Sequence, residues 1–136
     1  MTMDTLLPVG WKAPIGYANG IAVEAGRIVF IAGQVGWTAE QVFESEALVP
    51  QFAQALANVL AVLAEAGGRP EHIGRVTAYC CDKPSYLAAR KQLGAVWRER
   101  MGAHYPAMSM IFVSDLLDHP AKIELEATAV VPARGR

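Results

Sequence analysis

Cysteine is nearly absent from this chain: Cys80 and Cys81 are the only two among 136 residues, and they are neighbours. Adjacent residues on a strand point to opposite faces, so a mutual disulfide would need a distorted backbone, and both are read as reduced thiols. Histidine is almost as scarce. His72, His104 and His119 lie far apart, none at a short metal-ligand spacing from the cysteines, so no metal site is expected. An excess of charge is lacking too. Twelve basic and 13 acidic side chains leave a net charge of −1, so no overall positive field draws nucleic acid or an anionic membrane. The opening Met-Thr-Met-Asp-Thr-Leu-Leu-Pro joins no basic segment to a long apolar one, and no 18-residue apolar span follows, so the expectation is a cytoplasmic protein with no membrane partner. Neither a Gly-x-x-x-x-Gly-Lys-Ser/Thr loop nor a Gly-x-Gly-x-x-Gly turn occurs, and no cofactor is implied. Ser114, Asp115 and His119 crowd one connection, but a triad needs converging elements and an oxyanion site that nothing here supplies.

What the chain does have is apolar surface. At 53% hydrophobic content and 136 residues it suits one domain with an ample core. Residues 1–13 carry no periodic pattern and read as an arm, 14–132 as the domain, and 133–136 as a tail. Ile15 to Val23 and Arg27 to Ala32 read as strands joined in a hairpin through Glu24-Ala-Gly26, with Gly33 in a bulge or turn. Leu48, Phe52, Leu56, Val59, Leu60 and Leu63 recur at helical spacing until Gly67-Gly68 stops the run. A third strand spans Ile73 to Cys81, with Arg75, Thr77 and Tyr79 on one face. Asp82-Lys-Pro84 opens a second helix that Gly102 ends, with Tyr86, Leu93, Val96, Trp97 and Met101 on its apolar side.

The last third decides the reading. Tyr105-Pro-Ala-Met-Ser-Met-Ile-Phe-Val113 is apolar at almost every position, as in a strand buried on both faces. Lys122-Ile-Glu-Leu-Glu-Ala-Thr-Ala-Val-Val131 alternates instead, setting Glu124, Glu126 and Thr128 on the face opposite Ile123, Leu125, Ala127 and Ala129. The order is an α+β arrangement with two helices on one face of the sheet. Two helices cover one face only, so the apolar strand at 107–113 needs other cover, for which a partner subunit is the obvious candidate.

The series Ile15-Gly-Tyr-Ala-Asn-Gly20, Gly33-Gln34, Tyr-Pro-Ala-x-Ser and Lys-Ile-Glu-x-Glu-Ala-x-Ala-Val resembles the Rid family over residues 14–132. These are the reactive intermediate deaminases, also called YjgF-like proteins and formerly labelled liver perchloric-acid-soluble endoribonucleases. The resemblance implies a chorismate-mutase-like mixed sheet, a homotrimer with its sheets facing inward, and ligand clefts between subunits. It implies hydrolysis of a short-lived enamine or imine to ammonia and a keto acid. Glu124 matches the water-handling carboxylate, Tyr17 the aromatic wall from a neighbouring subunit, and Gly33 a glycine beside the cleft. One departure matters. Where deaminating members carry an arginine after Tyr-Pro-Ala this chain has Met108, and Met110 replaces the small polar residue two places on, so that wall becomes apolar. Arg90 matches a cleft-lining amide position and is a substitute cation for the substrate carboxylate; Arg75 is a second. A non-catalytic trimer binding a keto-acid-like metabolite is the alternative, and an endoribonuclease the third reading, opposed by the charge balance.

Overall fold

The computed structural model describes residues 2–134. Four strands make the main sheet: β3 (Arg27–Val35), β4 (Ile73–Cys80), β5 (Ala107–Phe112) and β6 (Ile123–Val131). Their spatial order is β3-β6-β4-β5, with β6 antiparallel to both neighbours and β4 parallel to β5, so the sheet is mixed. The alternation of β6 is realised as read, with Ile123, Leu125, Ala127 and Ala129 buried against helices and Glu124, Glu126 and Thr128 on the open side.

Three helices pack on the sheet: α1 (Leu48–Glu65), α2 (Lys83–Ala88) and α3 (Arg90–Met101). The expected second helix is thus two. The break is a single residue, Ala89, whose ψ of 10 leaves the helical range while its N–H reaches both Ser85 O and Tyr86 O; no glycine or proline marks it. Asp82 does open α2 as the sequence suggests, its carboxylate accepting from the Ser85 N–H at 3.1 Å. The glycine stop on α1 also has a specific geometry. Gly67 lies at φ 74, its N–H donates to Ala64 O, and the Gly68 N–H donates to Leu63 O, closing the helix in a Schellman motif.

No 18-residue apolar span stands out in the sequence, yet α1 is 18 residues long at mean hydropathy 1.3, enough by length and composition to cross a membrane. It lies against the sheet instead. Leu48, Phe52, Ala55, Leu56, Val59 and Leu63 are buried there, and the same face carries the buried amide of Gln51, which marks a core helix.

The N-terminal segment departs from its reading in two ways. Met3–Leu6, inside the unpatterned arm, forms β1, which pairs antiparallel with β2 (Gly20–Val23). Its side chains are mostly exposed, so no alternation betrays it. The expected hairpin is also absent, because β2 pairs with β1 while β3 pairs with β6. A turn glycine such as Gly26 permits a reversal without choosing the partner, and the long register with β6 takes β3. The stretch before β2 runs to the far edge, where the Ala18 N–H donates to Pro106 O at 2.9 Å beside β5.

Candidate functional site

β3 does not run straight past β6. Its register slips between Ile31 and Gln34, a bulge that contains Ala32 and Gly33. Glu124 lies across that bulge: a Cβ built on Gly33 would stand 2.8 Å from the Glu124 carboxyl carbon and 3.0 Å from its Cγ. The glycine is therefore room for a carboxylate. Burial pushes the Glu124 carboxyl above its usual range, and the nearby negative charges of Asp118 and Glu126 push the same way. Glu126, two residues on, is engaged differently, accepting a hydrogen bond from the Tyr79 hydroxyl at 2.8 Å.

Two amides on α1 hold the strands on either side. Gln51, 1% exposed, donates to Ser45 O and Pro120 O, both at 3.0 Å, and accepts from the Lys122 N–H at 2.7 Å. That fixes the chain two residues before Glu124. Asn58 donates to Val35 O at 3.1 Å and Trp37 O at 2.8 Å, while Gln54 donates to its carbonyl at 2.8 Å, which fixes the chain just after Gly33. Sequence reading passed over all three. The signal was present, since positions 51, 54 and 58 recur at helical spacing beside the apolar stripe, where solvated side chains are not expected.

On the helix side of the sheet the structure brings together Tyr17, Arg90, Met108 and Met110, which line one cavity of about 600 Å³ with Phe52, Leu93, Trp97 and Tyr105. The strand register explains this. Met108 and Met110 pair with Val76 and Ala78, whose side chains are buried on the helix side. Glu124 is on the other face. Within one chain the candidate site residues therefore fall into two groups, Gly33 with Glu124 on the open face and Tyr17, Arg90, Met108 and Met110 behind the sheet. The open face of strand 107–113 carries Ser109 and Ile111, and Ile111 is exposed, so the chain itself supplies no cover for that side chain.

The open face is nonetheless apolar along β3, where Ile28 is 62% and Phe30 79% exposed. Arg75 lies there too, in an indentation of about 410 Å³ with Phe30, Ala32, Thr77, Glu126 and Thr128, away from the cavity behind the sheet. Among the described residues, no three His, Cys, Asp or Glu side chains gather as metal ligands. Cys80 is buried, and burial raises its thiol pKa, which suits a structural rather than a nucleophilic sulfur.

The comparisons with known proteins agree in kind. A family model described as Endoribonuclease L-PSP matches residues 11–131. A RutC family protein of Aquifex aeolicus is 32% identical over 122 residues, which is 88% of this chain and 94% of the relative. Among solved structures, the Rid family protein YyfB of Yersinia pestis, described as of unknown function, superposes with a TM-score of 0.84 at 32% identity, covering 96% of this chain and all of the other. The YjgF gene product of E. coli is similar at 26% identity and a TM-score of 0.65, over 90% of each chain.

Proposed function

The chain belongs to the Endoribonuclease L-PSP family, the family of the Rid and YjgF proteins, and we propose that it hydrolyses a small enamine or imine with Glu124 as the acid-base residue. The observation that carries this is the Glu124 carboxylate, desolvated and laid against a glycine that leaves it room. In the reaction, water adds to the C=N carbon. Glu124 takes a proton from that water and returns one to the nitrogen, which departs as ammonia and leaves a carbonyl. A carboxylate with a raised pKa is suited to both transfers.

Glu124 alone does not make a cleft. The cavity with Tyr17 and Arg90 lies behind the sheet, while the face bearing Glu124 is open and carries the exposed apolar side chains of Ile28 and Phe30. A homotrimer joining open faces would cover that surface and bring Glu124 and Gly33 of one subunit to the cavity mouth of the next. With Met108 in place of a guanidinium, Arg90 is the group assigned to the substrate carboxylate. Two free thiols suit a reducing, cytoplasmic setting.

The alternative is a trimer that binds a keto-acid-like metabolite without turning it over, and the observation behind it is that, among the described residues, the charges bearing on Glu124 are those of Asp118 and Glu126, both negative. An endoribonuclease role has less support, because a net charge of −1 offers no general attraction for a polyanion. The deciding measurement is ammonia release from a panel of enzymatically generated imines, wild type against Glu124→Gln. Release above buffer that the variant lacks supports hydrolysis; binding without release leaves the metabolite-binding reading.

A further inference from the structure

The cavity behind the sheet is larger and more aromatic than a carboxylate clamp for a small imino acid requires. At about 600 Å³ it falls in the range that holds drug-sized ligands, and its walls are Phe52, Leu93, Trp97, Tyr105, Met108 and Met110. The rear wall is rigid. The Trp97 ring stacks on Tyr105 with 6.2 Å between centroids and 12° between planes, and the indole N–H is tied to His104 O at 3.0 Å. The two methionines that line the same cavity are adaptable and polarisable, suited to packing on a flat ring.

The rim carries charge of one sign. Arg90 and Arg98 both line the cavity and lie eight residues apart on α3, with Gly94 midway between them. Gly94 has a use in this arrangement: a Cβ there would meet an Arg98 guanidinium nitrogen at 3.3 Å, so that side chain folds back along the helix toward Arg90. Among the described residues the ion pairs are Arg69 with Glu71 and Lys122 with Asp82, and neither rim arginine has a carboxylate within reach. Two unpaired guanidinium groups above an apolar chamber call for an amphiphilic anion.

We infer that this cavity is a specificity subsite for an aryl or long-alkyl 2-oxo or 2-imino acid, its apolar tail enclosed by Trp97, Met108 and Met110 and its carboxylate held by Arg98 together with Arg90. The inference names the substrate class of the proposed hydrolytic site and rests on that reading for the imino form. The binding itself does not need turnover.

Calorimetry with phenylpyruvate and pyruvate, two stable 2-oxo acids that differ in the tail, tests it on the full-length protein. Phenylpyruvate should bind at least tenfold more tightly. Arg98→Gln should weaken phenylpyruvate by about tenfold to a hundredfold, the range of one charged hydrogen bond. Gly94→Leu serves as a second variant because leucine favours a helix over glycine, so folding is not at risk while the new side chain displaces Arg98 and closes the mouth; it too should weaken phenylpyruvate at least tenfold. Equal affinity for the two acids, or unchanged affinity in both variants, overturns the subsite. Phenylpyruvate binding with no ammonia release from any imine would support the subsite and refute hydrolysis. Hydrolysis of small imines with no preference for the aromatic acid would do the reverse.

Discussion

The carboxyl group of Glu124 occupies the space that a side chain at residue 33 would need, with its carbon 2.8 Å from where a Gly33 Cβ would lie. Glycine at this point of the bulge is thus a condition for the position of the carboxylate, not only for the bend of the strand.

Gly33→Ala should therefore separate activity from stability. The group that must yield is the far end of a flexible side chain, so the melting temperature should change little. The carboxylate will rotate away, and hydrolysis should fall at least tenfold, since a displacement of about 1 Å near the reacting atoms costs on the order of a hundredfold. Steady-state ammonia release with parallel thermal unfolding checks both arms.

Glu124 also predicts two pH dependences. Its carboxyl is raised above the ordinary 4.5 by burial and by Asp118 and Glu126, so the folded state holds this proton more tightly than the unfolded chain. Stability from that preference is complete below the unfolded value and is lost as pH rises through the folded one. Glu124→Gln should accordingly unfold at an equal or higher temperature than wild type at pH 7–8, with the difference shrinking below pH 4.5. Activity runs the other way. The base form is required, so wild-type kcat/KM should drop along an acid limb lying above pH 4.5, and the variant should lose about 10²–10⁴-fold.

Replacing Glu126 should hurt less. Its carboxylate accepts from Tyr79 at 2.8 Å on an exposed face, so Glu126→Gln or Tyr79→Phe should leave the denaturant midpoint almost unchanged and turnover within a few-fold. Loss of activity equal to that of Glu124→Gln would assign the chemistry to the pair.

Gln51→Leu should be the most damaging change on α1. It leaves Ser45 O, Pro120 O and the Lys122 N–H without their partner in a site that is 1% exposed. The expected loss is on the order of 3 kcal/mol, read in urea unfolding, with activity reduced because the approach to Glu124 is no longer held.

Phe30→Asp tests the open face. Wild type should sediment near three times 14.6 kDa, and a charge on a side chain that is 79% exposed in one chain should shift the variant to monomer if the face is an interface. A wild-type monomer at micromolar concentration would remove the shared cleft.

Most of the fold was legible where burial is one-sided. The apolar stripe of α1, the alternation of β6 and the Asp82 cap of α2 each state their environment in their own spacing. β1 was not legible, because a strand with exposed side chains has no pattern to read. Pairing was also hidden: Gly26 announces a turn, but the choice of β6 over β2 depends on residues a hundred positions away. In the site, residue types were recognisable while sides were not. Met108 and Glu124 sit near each other in the sequence pattern and on opposite faces of the sheet, and only the register of β5 on β4 tells them apart.

That division has a genetic consequence. A chain that supplies a carboxylate from one face and a cavity from the other contributes to two different clefts whenever each cleft is shared between neighbouring copies. Two defective forms, one lacking Glu124 and the other lacking its cavity arginines, would then be able to rescue each other when produced together, because a cleft that takes its carboxylate from the second form and its cavity from the first is whole. With equal production and random assembly, about one cleft in four would be of that kind. Damage to both halves on the same copy would find no such remedy in a partner damaged in the same way.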